Sequence, residues 1–201
     1  MIAIIDYGMG NLRSVQKAIE YIGGYAQITY DARVLERADR IILPGVGAFH
    51  DAITQLRLSG LADALISAVA SGKPILGVCL GMQLLFDTSC EFGQNEGLRV
   101  IHGDVVLLDN MSGTLKIPHM GWNQVKSVNG CPILAGIDDA DFYFVHSYAV
   151  RDVSLPCLAG ITTYGQPFAS VVQAGNVFGT QFHPEKSGDV GLQLYKNWME
   201  I

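Results

Sequence analysis

The alternation of apolar and polar positions divides the chain into two textures. "MIAIID" is apolar and β-branched up to Asp6, which predicts a short buried strand, and "YGMGN" after it predicts a turn. "LRSVQKAIEYIG" places Leu12, Val15, Ile19 and Ile22 at helical spacing, with Gly23 and Gly24 as a stop. "AQITY" and "RIILP" predict a second and a third strand, the latter running into "GVGAFHDAI", a glycine-rich turn that opens a helix. "LADALISAVASG" predicts another helix, "PILGVC" a fourth strand, and "GMQLLFDTS" the beginning of a further helix. Strand and helix in alternation mean a parallel sheet covered on both faces, with right-handed crossovers.

After about Arg99 the period shortens. "DVVLLD", "NQVKSV", "DFYFVHSYAV", "CLAGITTY", "FASVVQAG" and "NVFGTQFHP" read as strands joined by short turns, with a hairpin turn at "QAGN". A last helix, "DVGLQLYKNWMEI", carries Leu192, Tyr195 and Met199 on one side. The pattern predicts an α/β fold. Its sheet is mixed and mainly parallel, flanked by helices, with an antiparallel extension, all within one domain over residues 1–201.

Composition narrows the function. Of the 201 residues, 49% are hydrophobic and 16% charged, a globular balance. The formal charge is −6 with no basic stripe, so no nucleic-acid partner is expected. No apolar run approaches the ~20 residues of a membrane helix, and no basic segment followed by an apolar core opens the chain, so neither membrane nor secretion is expected. The four cysteines, Cys79, Cys90, Cys131 and Cys157, show no C-x-x-C spacing, which fits reduced thiols in the cytoplasm. None of the five histidines falls at a familiar metal-binding spacing, so neither metal nor cofactor is expected.

Three glycine-bearing turns follow predicted strands, where open α/β sheets bind ligands: "DYGMGN", "LPGVGAF" and "GVCLG". In the first, Arg13 stands where a dinucleotide fingerprint needs its third glycine. The third is G-x-C-x-G at a strand-to-helix turn, the form of a nucleophile elbow with cysteine in place of serine. There a side chain at Gly77 or Gly81 would collide with neighbouring backbone, and Cys79 would stand at a helix N-terminus, which favours thiolate. "FHPEKS" offers the base. Pro184 keeps His183 extended, and positions two apart in an extended segment face the same way, so Glu185 reaches the imidazole. A carboxylate there fixes the tautomer and stabilises the imidazolium. "PGVG", Pro44 to Gly47, and the Leu80 N–H can supply oxyanion donors. Each segment alone has a plainer reading: a buried cysteine, a histidine near a turn, an ordinary strand-to-helix connection. Together they propose a triad.

With "GVCLGMQ" and "FHPE" in this order, the sequence resembles the class I glutamine amidotransferases. "IIDYGMGNLRSVQKAIE", "LPGVGAF", "PHMGWN", "FYFVHSY" and "GTQFHPEKS" extend the resemblance along the chain, to the glutaminase subunits of imidazole glycerol phosphate synthase. Such subunits tend to carry an acid where Cys90 stands. The resemblance implies Cys79 as nucleophile, His183 as general base and acid, and Glu185 as its orienting carboxylate. It implies an oxyanion hole from Val46, Gly47 and Leu80, and glutamine held by Gly47, Gln83, Ser147 and Tyr148. It also implies a partner, a cyclase subunit with a (β/α)8 barrel, that uses the ammonia to make imidazole glycerol phosphate and aminoimidazole carboxamide ribotide in histidine biosynthesis. Asn11, Pro118, Met120, Trp122, Asn123, Tyr143 and Lys186 would face it. "PHMGWN" and "DYGMGNLRSV" favour this partner over an anthranilate or pyridoxal phosphate synthase. A thiol hydrolase or peptidase on the same scaffold would need no such face.

Overall fold

The computed structural model describes residues 1–151 and 153–201. The first half alternates as its pattern requires: β1 (Ile2–Ile5), α1 (Leu12–Tyr21), β2 (Ala26–Thr29), α2 (Ala32–Arg37), β3 (Arg40–Gly45), α3 (Phe49–Leu58), α4 (Leu61–Ala70), β4 (Ile75–Cys79) and α5 (Leu80–Gln83). The short strands β5 (Thr88–Ser89) and β6 (Asn95–Glu96) follow, then β7 (Asp104–Leu107), β8 (His119–Gln124), β9 (Lys126–Ser127), β10 (Asp141–His146) and β11 (Tyr148–Arg151). β12 (Leu158–Tyr164), β13 (Gln166–Ala174), β14 (Val177–Thr180) and α6 (Gly188–Met199) complete the chain.

One sheet runs β2-β1-β3-β4-β14-β13-β11-β7-β5-β6, with β12 and β9 continuing from β13. Its first five strands are parallel, and β13, β11 and β7 beyond them pair antiparallel. This is the mixed sheet with an antiparallel extension that the two textures predict. β8 and β10 form a separate two-stranded antiparallel sheet. The central strands are buried on both faces, as covered parallel strands must be. Apolar clusters lie on either side, one around Phe49, Leu65 and Phe86 under α3 and α4, the other around Ile19, Phe182 and Trp198 under α1 and α6.

Four local expectations are corrected. α2 was not expected; Asp31 caps it by accepting from the Arg33 N–H. The helix after Cys79 lasts one turn, not through Ser89. The carbonyls that would extend it, those of Leu84, Leu85 and Phe86, accept instead from the backbone of residues 98–101. "DFYFVHSYAV" is two strands. Phe142, Phe144 and His146 are buried in alternation, then Ala149 and Val150 are buried in succession, and at Ser147 the chain crosses between sheets. The buried side of α6 is Gly191, Leu194, Tyr195 and Trp198, one residue out of step with Leu192 and Met199. A Cβ at Gly191 would lie 1.9 Å from the Pro184 carbonyl oxygen, so the helix seats itself on that glycine.

The elbow glycines are needed for close approach. A Cβ at Gly81 would lie 1.8 Å from the Leu43 carbonyl oxygen, and one at Gly77 would lie 2.8 Å from the Met82 backbone. Gly81→Ala is therefore expected to destabilise the fold by about 2 kcal/mol or more, because backbone cannot yield as a side chain can. A urea titration against the unaltered protein reads the loss directly.

Candidate active site

β3 and β4 run side by side, with Gly45 paired to Cys79 at their ends. Cys79 has φ 54 and ψ −112, a backbone conformation that costs a non-glycine residue about 1–3 kcal/mol. The turn from strand to helix thus carries strain at its cysteine. The helix whose N-terminus was expected beside Cys79 is a single turn, Leu80–Gln83, and carries little of a macrodipole.

Cys79, Leu80 and Gln83 share one cavity of about 380 Å³ with Val46 and Gly47 from the end of β3. Ser147 and Tyr148 enter from the crossing between β10 and β11, and His183 from the turn after β14. Every residue expected in the triad or at the substrate lines this cavity except Glu185. Glu185 stands behind His183, with Oε1 2.9 Å from Nδ1 and both side chains buried. The contact was foreseen, but its geometry differs: Glu185 lies in a 3₁₀ turn, Pro184–Lys186, rather than in extended chain. The turn is tied down by Ser187, whose hydroxyl donates to the His183 carbonyl and accepts from the Tyr143 N–H. The His183 N–H in turn donates to the Tyr143 carbonyl.

Burial alone disfavours an imidazolium at His183. The sulfur of Cys79 and the carboxylate of Glu185 outweigh it and lift the pKa to about 10. Nε2, on the cavity side, makes no hydrogen bond among the described residues. A proton on that nitrogen is free for an atom arriving beside the sulfur. Gly47 has φ +97, open to glycine, and Val46 is part-exposed beside it. Tyr7 holds this segment by donating to the Pro44 carbonyl at 2.9 Å. Its hydroxyl is pushed well above its usual pKa by burial and by the Cys79 charge.

Four further groups at the site escaped the sequence reading. Glu91 lines the cavity and accepts from the Phe49 N–H at 2.7 Å. His146 lines it and pairs with buried His119 at 2.9 Å, Nε2 to Nδ1. Gln181 reaches the Cys79 sulfur at 3.8 Å. Of the four, Glu91 alone had a visible signal, an acid two residues past the predicted helix segment "GMQLLFDTS"; the others look like strand residues.

Among the expected partner-facing residues, Pro118 and Lys186 form part of the cavity lining. Met120 and Trp122 are exposed on β8, with Trp122 edge-on to Tyr143 at 6.2 Å and the Lys186 ammonium 5.8 Å from the Tyr143 ring. Asn11 precedes α1 without capping it through its side chain. Asn123 is turned inward, its amide nitrogen 3.2 Å from His119 Nε2 and 3.0 Å from the Thr163 carbonyl.

The buried His119–His146 pair also makes acid stability testable. Burial lowers their pKa values to about 4 and about 3. A depressed histidine pKa gives stability that is complete above the unfolded value and is lost as pH falls below it. Unfolding should therefore ease below pH 6.5, His146 alone costing about 2 kcal/mol by pH 5. Urea midpoints for the protein and His146→Asn at pH 7.5 and 5 measure it; the variant should lose less on acidification.

No helix among the described residues is long and apolar enough to cross a membrane. The class-I glutamine amidotransferase family matches residues 3–200. "Imidazole glycerol phosphate synthase subunit HisH" of Syntrophotalea carbinolica is 48% identical, with both chains covered in full. The protein of that name from Caldanaerobacter subterraneus subsp. tengcongensis is 49% identical, covering all of this chain and 98% of the relative. A solved glutamine amidotransferase superposes with TM-score 0.78 at 19% identity, over 100% of this chain and 98% of that one. The glutaminase domain of Trypanosoma brucei CTPS with bound acivicin follows at TM-score 0.70 and 19% identity, over 99% and 93%. A buried sulfur at a strained elbow, a histidine backed by a carboxylate in the same cavity, and matches along the whole chain give one result: the chain belongs to the class I glutamine amidotransferase family.

Proposed function

We propose that this chain is the glutaminase subunit of an imidazole glycerol phosphate synthase, a single domain over residues 1–201 that works in the cytoplasm. The observation that carries the chemistry is the convergence of Cys79 and the Glu185-backed His183 on one amino-acid-sized cavity. Relatives about 48% identical over the full chain carry the synthase name and support the choice of pathway.

Thiolate Cys79 attacks the side-chain amide carbon of glutamine. The C–S bond forms, and the carbonyl electron pair moves to oxygen. Backbone N–H groups of Val46, Gly47 and Leu80 receive that oxyanion, each such donor contributing ~10²–10³ in rate. Imidazolium His183 gives its Nε2 proton to the departing nitrogen, the C–N bond breaks, and ammonia leaves. Water then gives a proton to the same nitrogen and its oxygen to the thioester carbon, which releases glutamate and restores the thiolate–imidazolium pair. Gln83, Ser147 and Tyr148 line the substrate's place, and the Glu91 carboxylate suits the ammonium of a free amino acid.

Ammonia protonated in water is no longer a nucleophile, so the product must pass to its consumer under cover. The consumer in this reading is a (β/α)8-barrel cyclase docked on Met120, Trp122, Tyr143 and Lys186, with Asn11 and Pro118 also toward it and Asn123, bonded inward to His119, behind them. Glutamate release by the purified chain, with and without such a cyclase, tests it. At least a tenfold rise with the cyclase is expected. No glutamate in either case removes the glutaminase reading, and stimulation by a different synthase instead reassigns the partner.

A further inference from the structure

Gln181 is fully buried one residue beyond β14, with its side-chain nitrogen 3.8 Å from the Cys79 sulfur. In a buried amide, which end is nitrogen decides whether that contact holds a thiolate or repels it. Here the surroundings decide. The Tyr148 carbonyl oxygen only accepts, so the Gln83 end lying 2.9 Å from it is nitrogen. The second N–H on that nitrogen points at Gln181, 2.9 Å away, which must present its oxygen. The NH2 of Gln181 is thereby left facing the sulfur.

The same carbonyl orders a second set of groups. His146 Nδ1 lies 2.8 Å from the Tyr148 oxygen and so carries the proton. In a neutral ring Nε2 is then bare and accepts from His119 Nδ1 at 2.9 Å. His119 Nε2 is bare in turn and accepts from Asn123, whose other N–H goes to the Thr163 carbonyl. Burial keeps both rings neutral, which this order requires. Both sets take their order from the Tyr148 carbonyl, which accepts from Gln83 on the side of the sulfur and from His146 on the side of β8.

We propose that Gln181 stabilises the attacking form of Cys79 by donating its side-chain N–H to the sulfur, in an orientation fixed by the Tyr148 carbonyl through Gln83. An N–H donated to an anion favours that anion over its protonated form. The inference deepens the glutaminase reading and rests on it for the reaction served. Its test uses no glutamine, so either can fail alone.

The probe is iodoacetamide, with alkylation at Cys79 followed by peptide mass spectrometry so that exposed Cys90 does not contribute. Gln181→Glu keeps an oxygen for Gln83 but turns a carboxylate toward the sulfur. Cys79 alkylation at pH 7 should fall at least tenfold, and the midpoint of its pH profile should rise by at least one unit. Gln181→Met, which removes the donor without adding charge, should fall about threefold to tenfold. The other titrating groups around the sulfur, His183, His146, Tyr7, Glu91 and Lys186, are unaltered in both. Asn123→Asp keeps the oxygen that accepts from Gln124 but offers no N–H to His119. The ring order must then invert, but Gln83 still donates to the Tyr148 carbonyl, so alkylation should stay within about twofold of the unaltered protein. Gln124→Ala, an exposed neighbour outside both sets, should alkylate as the unaltered protein does. Wild-type rates and profiles in folded Gln181→Met overturn the proposal, whether or not Gln181→Glu folds. A tenfold loss in folded Asn123→Asp would overturn the assignment of that orientation to the Tyr148 carbonyl.

Discussion

Cys79→Ala is expected to abolish glutamate release, with the rate falling on the order of 10⁵-fold or more toward the background of uncatalysed hydrolysis. Cys79 is the thiol that lines the cavity beside His183, and removal of a nucleophile typically costs that much. The fold should survive. Alanine keeps the Cβ of cysteine, so the strained backbone at φ 54 is unchanged, and only a sulfur is lost from a part-polar cavity. Cys79→Gly separates strain from chemistry. It should be equally inactive, yet at least as stable as Cys79→Ala, because relief of about 1–3 kcal/mol of strain offsets the ~1 kcal/mol entropic cost of glycine. Glutamate assays with thermal unfolding of both variants decide the matter. Residual turnover above background would remove Cys79 from the reaction, and a markedly less stable glycine variant would mean the elbow holds no strain.

Glu185→Gln is expected to lower kcat by about 10²–10⁴ with little change in KM. The side chain touches the far nitrogen of His183 and does not line the cavity, so glutamine binding should not register its loss. What disappears is the negative charge. The amide oxygen can still accept from Nδ1, but it holds an imidazolium less well, and the His183 pKa should drop from about 10 toward its ordinary value. Stability follows the same direction. A raised histidine pKa contributes stability present in full below about 6.5 and lost as pH rises through about 10, so the variant should lose its part of that contribution at lower pH than the unaltered protein. Equal kcat in the two proteins, or a rise confined to KM, would refute the orienting role of Glu185.

The parallel half of the fold was legible because its signals are local. β-Branched runs ended by glycine name strands, and Val15 and Ile19 at helical spacing name α1. The candidate triad was legible because its members sit at turns whose residue choice is restricted: glycines at 77 and 81, proline at 184. What escaped was set by distant partners. Nothing in "GMQLLFDTS" shows that the backbone at 98–101 will take the carbonyls that a longer helix needs. Nothing near Gln181 shows that its neighbours will be Gln83 and Cys79, about a hundred residues earlier in the chain. The break at Ser147 was visible only as a slip in alternation, Phe142, Phe144 and His146 followed by Ala149 and Val150. Side chains that act through long-range hydrogen bonds leave no period to read.

Lys186 belongs at once to the wall of the candidate catalytic cavity and to the edge of the Trp122–Tyr143 pair. In the proposed complex, a docked body would shelter the cavity at Lys186, so containment of the ammonia would come with assembly.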